Sequence, residues 1–275
     1  MTLLYIVSLN LKPQTSNLKL LTKMTQQDAL INYCLRLGDS SLILGQRMAE
    51  WCSNGPTLEE DIALTNISLD LFGQARTMLT YAANLEGKGK TEDDLAFRRS
   101  EREYFNTLLS ERPNGHFGDT IARNFLHDAF LYHLYTALKN SKDETIAAHA
   151  AKSIKEIAYH LRHTGEWVVR LGDGTEESHQ KIQQSFDDLW MFTGDLFEMN
   201  EVDDILIKAG IAVDLNEVKK NWDSTINEVL QRATLERPKD DYMQTGRLKG
   251  MHSEYLGHLL TDMQYLQRAY PDATW

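Results

Sequence analysis

The chain has 275 residues, 42% of them hydrophobic and 25% charged, which is ordinary for a soluble globular protein and enough to bury the core of one large domain or two small ones. Against 40 Asp and Glu stand 29 Lys and Arg, a net charge of -11, so a phosphate backbone is repelled at long range and sequence-independent nucleic-acid binding is disfavoured. Two cysteines, Cys34 and Cys52, form no Cys-x-x-Cys pair; that argues against a disulfide framework or a thiolate zinc site and suits a reducing cytoplasm.

In chain order, "MTLLYIVSLNLKPQTSNLKLLTK" carries a short apolar run with neither a charged n-region nor a small-residue cleavage site, and it is too short to span a bilayer. Residues 1–23 are expected to be a disordered or over-extended N-terminus, and residues 24–275 one helical domain. No later run approaches the ~20 apolar residues of a membrane span, so no membrane crossing is expected. A first long helix is predicted from about Gln27 to Trp51, where Leu30, Tyr33, Cys34, Leu37, Leu44, Met48 and Trp51 recur at helical spacing. "NGP" stops it, and a capping box of Thr57 and Glu60 opens a second helix to about Leu85. A longer connection follows, with one helical piece near Thr91, another opened by Ser100 and Glu103, and a "PNG" break at 113–115. A third long helix covers about Phe117 to Lys139 and a fourth about Asp143 to Leu171. After "LGDGTEES", Thr175 caps a fifth helix expected to reach Phe197; a short acidic helix follows near Asp203 to Ala209, then a helix opened by an Asp214 and Glu217 box, and a last one from about Met251 to Tyr270. Strand signals are confined to the brief "GIAVDL" at 210–215.

Short loop, long crossover, short loop is the connectivity of an all-α, ferritin-like four-helix bundle, in which the second and third helices run parallel. Such a bundle holds two metals when two helices each give one acid and the other two each give Glu-x-x-His. Bridging carboxylates bind both hard cations, and each imidazole adds a neutral ligand. The second helix offers Asp70 with Gly73 three residues on; the fourth offers Glu156 with Tyr159. The third offers Asp128, with His127 turned about 100° away. Asp39 or Glu50 is the acid of the first helix, and the sequence does not decide between them. His160 and His163 return to the Glu156 face, but nothing equivalent stands beside Asp70. Acids therefore survive where imidazoles are missing, and no metal ligand set, cofactor site or catalytic residue is expected in this chain. Burying unpaired carboxylates is costly, so a salt-bridge cluster is expected in the vacated volume, with Arg47, Arg76, Lys152, Lys155 and Arg162 as counter-ions. Tyr132, Tyr135, Trp167 and Trp190 read as packing residues with polar tips at a surface or partner.

The segments "LGDSSLILGQRMAEWC", "LEEDIALTNISLDLFGQAR", "EDDLAFRRSEREYFN", "YHLRHTGEWVVRLGDGTEES" and "HSEYLGHLLTDMQYLQRAYPDATW" together resemble the C-subunit family of the bacterial ring 1,2-phenylacetyl-CoA epoxidase. The resemblance extends over everything after Met24. It implies a non-catalytic structural subunit of a multicomponent monooxygenase in phenylacetate catabolism. Its implied partners are a homologous di-iron catalytic subunit (A) that binds phenylacetyl-CoA, a small bridging B subunit and a reductase. The competing reading is a di-iron or di-manganese oxidoreductase active in its own right. The aromatic-rich "FLHDAFLYHLY" of the third helix is expected at the interface with the partner. Arg98, Arg99 and Arg102 are candidates to touch coenzyme A phosphates; a solvated face neutralised by Asp93, Asp94, Glu101 and Glu103 is the alternative.

Overall fold

The computed structural model describes residues 24–271 and Ala273; the expectation for residues 1–23 falls outside them. Among the described residues the regular structure is all helix, and "GIAVDL" is a turn and coil that runs into the start of the eighth α-helix at Leu215 instead of a strand. Four long helices dominate: α1 (Gln26–Ala49), α2 (Leu58–Glu86), α4 (Phe117–Leu138) and α5 (Glu144–Gly172), with the short α3 (Glu92–Phe97) between the second and third of them. The chain continues through α6 (Glu176–Trp190), α7 (Glu201–Ala209), α8 (Leu215–Arg232) and α9 (Glu254–Ala269).

Local chemistry sets the ends. Thr25 and Asp28 exchange hydrogen bonds as a capping box that starts α1, and Asp143 accepts from the Ile146 amide to start α5. The predicted Thr57 box is only half formed: the Thr57 hydroxyl accepts from the Glu60 amide, but the Glu60 carboxylate is spent on His163. Ser100 and Glu103 do form a box, yet it opens a single 3-10 turn. The fifth helix stops at Trp190, earlier than expected, because Thr193 and Gly194 begin a separate 3-10 turn at Gly194–Phe197.

α1 and α2 lie antiparallel and close. A Cβ on Gly38 would stand 2.9 Å from the Leu79 side chain and one on Gly45 3.1 Å from Phe72, so these two positions admit the second helix only because they lack a side chain. Ser68 closes the contact by donating to the Gly45 carbonyl at 2.8 Å. α5 pairs antiparallel with both α2 and α4, through Gln74–Glu156 and Glu60–His163 on one side and Asp128–Thr164 and Tyr135–His149 on the other. Hence α2 and α4 run parallel, and residues 87–116 must carry the chain from one end of the bundle to the other.

The expectation that the aromatic run of α4 faces a partner is overturned. Residues 120–131 are buried without interruption, and α5, α6 and α8 all pack on α4. Trp222 of α8 donates to the Leu126 carbonyl at 2.9 Å and stacks obliquely on Trp190, ring centres 5.6 Å apart. Nor does Tyr135 reach a surface: it is fully buried, with its hydroxyl between His149 at 3.3 Å and Gln74 at 3.5 Å. Among the described residues no helix is long and apolar enough to cross a membrane.

Candidate functional site

The bundle interior carries a polar seam where α5 meets α2 and α4. On α2, Asp70 and Gln74 are one turn apart; on α5, Glu156 and His160 are too. Their antiparallel packing crosses the pairs: His160 Nε2 lies 3.0 Å from Asp70 Oδ2, and Gln74 Nε2 donates to Glu156 Oε2 at 3.0 Å. Further along α2 toward its N-terminus, Glu60 Oε2 is 2.8 Å from His163 Nε2. Beyond the other end, the Tyr81 hydroxyl donates to Asp143 at 2.8 Å. From α4, Asp128 receives the Thr164 hydroxyl at 3.1 Å.

The inward register is one residue removed from the expected one. Gln74 and His160, not Gly73 and Tyr159, are the buried positions, because residues i+4 return to a packed face at least as well as i+3. Gly73 is exposed, and a Cβ there would meet nothing within 4 Å. Tyr159 is 40% exposed, stacked on the outer side of His163 with ring centres 6.1 Å apart. Neither lies in the interior, so neither marks a ligand position. The acids of α1 are committed elsewhere as well. Asp39 is fully buried against Arg99 and the Phe105 amide, whereas Glu50 sits at the C-terminal end of α1 with Arg47 at 2.8 Å and Asn114 at 2.9 Å.

The expected counter-ions do not fill the interior. Arg76 pairs with Glu92 on the surface at 3.1 Å, Arg47 turns to Glu50 and the Glu111 carbonyl, and Lys152, Lys155 and Arg162 are exposed. Histidines and amides meet the acids instead. Among the described residues no three His, Cys, Asp or Glu side chains converge as metal ligands, and each interior acid of the seam is engaged by a partner of its own. The donor set therefore does not fit a two-metal centre.

Burial sets the electrostatics. It pushes the Asp128 carboxyl up to about 6, against the neighbouring His160 and the Thr164 hydroxyl, which favour ionisation. It pushes His127 down to about 3, with Arg123 and Arg247 adding to the effect, and neither ring nitrogen of His127 has a hydrogen-bond partner. His149 is pushed down to about 4 by burial and then by Lys152. These imidazoles are neutral packing groups near pH 7.

The sequence reading missed the buried arginines. Arg36 pairs with Asp203 at 2.9 Å, Arg247 with Asp195 at 3.2 Å, and Arg99 with Asp39. Arg123, fully buried, donates to the Arg112 carbonyl at 2.7 Å and has its guanidinium pushed down to about 9 by burial and by Arg47. Arg36 stands in the same run as Leu37 with no local mark, since its acid lies 167 residues away. Of the three arginines considered for phosphates, Arg99 is locked on Asp39 and Arg98 is held by Asp94 at 3.3 Å and by the Pro271 carbonyl at 3.0 Å. Arg102 is exposed.

Gly73→Ala gives a direct check on the outward register of that position. Alanine should stabilise the chain by about 0.5–1 kcal/mol through helix propensity alone, read as a higher denaturant midpoint at unchanged slope. A loss of stability would place residue 73 against the interior.

Comparison with known proteins matches residues 17–275 to a family model described as phenylacetic acid catabolic protein. The match starts upstream of Met24, so the family pattern reaches further back than the resemblance seen in the sequence alone. The chain is also 50% identical over 246 residues to the C subunit of the 1,2-phenylacetyl-CoA epoxidase of Escherichia coli (strain K12), a match that covers 90% of this chain and 99% of that relative. By both measures the chain belongs to the phenylacetic acid catabolic protein family.

Proposed function

We propose that this chain is the non-catalytic, structural subunit of a multicomponent monooxygenase that epoxidises the ring of phenylacetyl-CoA in phenylacetate catabolism. Its residues 24–275 form one ferritin-like domain that pairs in the cytoplasm with a homologous di-iron catalytic subunit, alongside a small bridging subunit and a reductase. Supporting the pathway and the subunit role is the 50% identity to a protein named as the C subunit of that epoxidase. The observation that carries the non-catalytic part is the pairing of the seam: Asp70 with His160, Glu156 with Gln74 and Asp128 with Thr164. Each acid has one hydrogen-bonded partner from another helix, and the imidazoles that meet these acids, His160 beside Asp70 and Asp128 and His163 beside Glu60, both come from α5, whereas a two-metal centre of this kind draws one from each of two helices.

Anaerobic loading of the purified chain with ferrous iron, followed by desalting and metal analysis, tests this. Iron well below one atom per chain is expected, while co-expression raises the soluble yield and activity of the catalytic subunit. About two iron atoms per chain, lost in Asp128→Ala and Glu156→Ala, would establish the chain as an oxidoreductase in its own right. Equal yield and activity of the catalytic subunit without this chain would remove the structural role.

A further inference from the structure

We propose that the outer face of α2 is the docking track for an α-helix of another subunit, one whose apolar stripe is flanked by Lys or Arg. This rests on the partner-subunit reading above and adds where the partner engages and by what chemistry.

Three large apolar side chains on α2 stand in solvent: Leu58 is 74% exposed, Ile62 53% and Leu69 61%. They are not the spill-over of a wide core stripe, because the same helix buries Leu64, Ile67 and Leu71 on its other side. With the half-buried Thr65 and Phe72, which edge the stripe on its α1 side, the positions fall at 58, 62, 65, 69 and 72, alternating steps of four and three. That 3.5-residue repeat is the pattern by which one α-helix packs lengthwise on another. An extended peptide would instead call for an exposed sheet edge, and the described residues contain no strand.

At Phe72 the stripe runs into a groove of about 480 Å3 between α1, α2, α3 and α9, with Leu42, Leu79, Phe97 and Met263 on its walls. Stripe and groove thus form one continuous apolar track. α4, by contrast, has its apolar run covered within the chain.

Charge along the track selects the occupant. Glu59 is exposed beside Leu58, and Glu92 and Asp93 stand at the lip of the groove. Among the described lining residues the groove has one cation, Arg76, and it is paired with Glu92. Arg76 and Glu92 neutralise one another, which leaves Glu59 and Asp93 as the acids of the rim; beside an apolar floor they favour a basic-flanked helix and disfavour a second copy of the same face.

The test uses the full chain co-expressed with the homologous subunit of the proposed pairing. Ile62→Asp and Leu69→Asp alter exposed side chains, so their helix content and melting should match the unmodified chain. Each should weaken binding by about tenfold or more, as a charge does in the apolar centre of an interface. Glu59→Lys and Asp93→Lys should weaken it less, and by an amount that shrinks with added salt. Unchanged affinity in both aspartate variants, with the unmodified chain still bound, would overturn the docking track and leave the partner-subunit reading standing. Failure of the unmodified chain to bind at all would sink that reading first, and the track with it. A homodimer of the isolated chain that Ile62→Asp dissociates would overturn the choice of occupant.

Discussion

Arg99→Met is expected to destabilise the chain by about 3–5 kcal/mol, the usual cost of breaking a buried ion pair from one side. Asp39 has no solvent exposure and Arg99 only 7%. The guanidinium meets both carboxylate oxygens, donates from Nη1 to the Glu103 carbonyl at 2.8 Å, and stacks over the Tyr104 ring at 4.3 Å. Methionine keeps much of the side-chain volume but leaves Asp39 charged and dry, with the Phe105 amide at 2.9 Å as its remaining donor among these groups. Total stability of a domain is about 5–15 kcal/mol, so the loss is large enough to read in urea midpoints. The double variant Asp39→Leu with Arg99→Met removes both charges and their desolvation cost together, and it should recover much of the loss. A single variant as stable as the double would show that the carboxylate is not held by this arginine.

The pair matters because of where it sits. Residues 87–116 must return the chain along the bundle so that α4 can run parallel to α2, and Asp39 of α1 fixes this crossover near its middle. Buried charges bind the later pieces in the same way. Asp203 of α7 meets Arg36 of α1, Arg247 meets Asp195, and Glu111 of the crossover receives His252 at 3.1 Å and the Ser253 amide at 2.7 Å. Crossover and C-terminal segments are thus tied to the bundle and to one another by ion pairs sealed from water, where the loss of one member costs more than the pair contributes.

These ties mark the limit of what a sequence can convey. The long helices were legible because an apolar stripe recurs at 3.6 residues and because Thr, Asp and Gly punctuate the ends; α4 and α5 start at the residues expected or one later. Rotation of each helix about its axis was not legible to within one residue. Counting three along the helix makes Asp70 with Gly73 and Glu156 with Tyr159 the inward pairs, whereas the fold turns Gln74 and His160 inward. That choice is made by neighbours such as Gly38 and Gly45, which decide how α2 rolls against α1. Ion pairs across 60 to 167 residues leave no local trace, so Arg36 draws no notice in the sequence and Arg99 reads as part of a basic run open to phosphate or solvent.

Asp128→Asn should stabilise the chain by about 2–4 kcal/mol at pH 8, and this gain should vanish as the pH falls toward 4. The carboxyl is raised from 3.8 to about 6 by burial, and each unit of displacement corresponds to about 1.4 kcal/mol. A raised carboxyl binds its proton more tightly in the folded chain than in the unfolded one. Between pH 3.8 and about 6 the folded state therefore holds more protons, stability falls as pH rises, and above that window the full penalty of a buried charge is present. Asparagine has no charge to bury, and its carbonyl can still accept from the Thr164 hydroxyl. His127 and His149, depressed to about 3 and about 4, act in the opposite sense: below about pH 6.5 the unfolded chain takes up protons that they refuse in the fold, so both proteins lose stability on acidification. Comparing the two denaturant midpoints at each pH cancels that shared loss and isolates residue 128. A gap that stays constant from pH 4.5 to 8 would mean that burial does not raise the Asp128 carboxyl in the fold. A gap that opens with pH would show an acid kept dry beside a hydroxyl and an imidazole, at a destabilising cost to the neutral-pH fold.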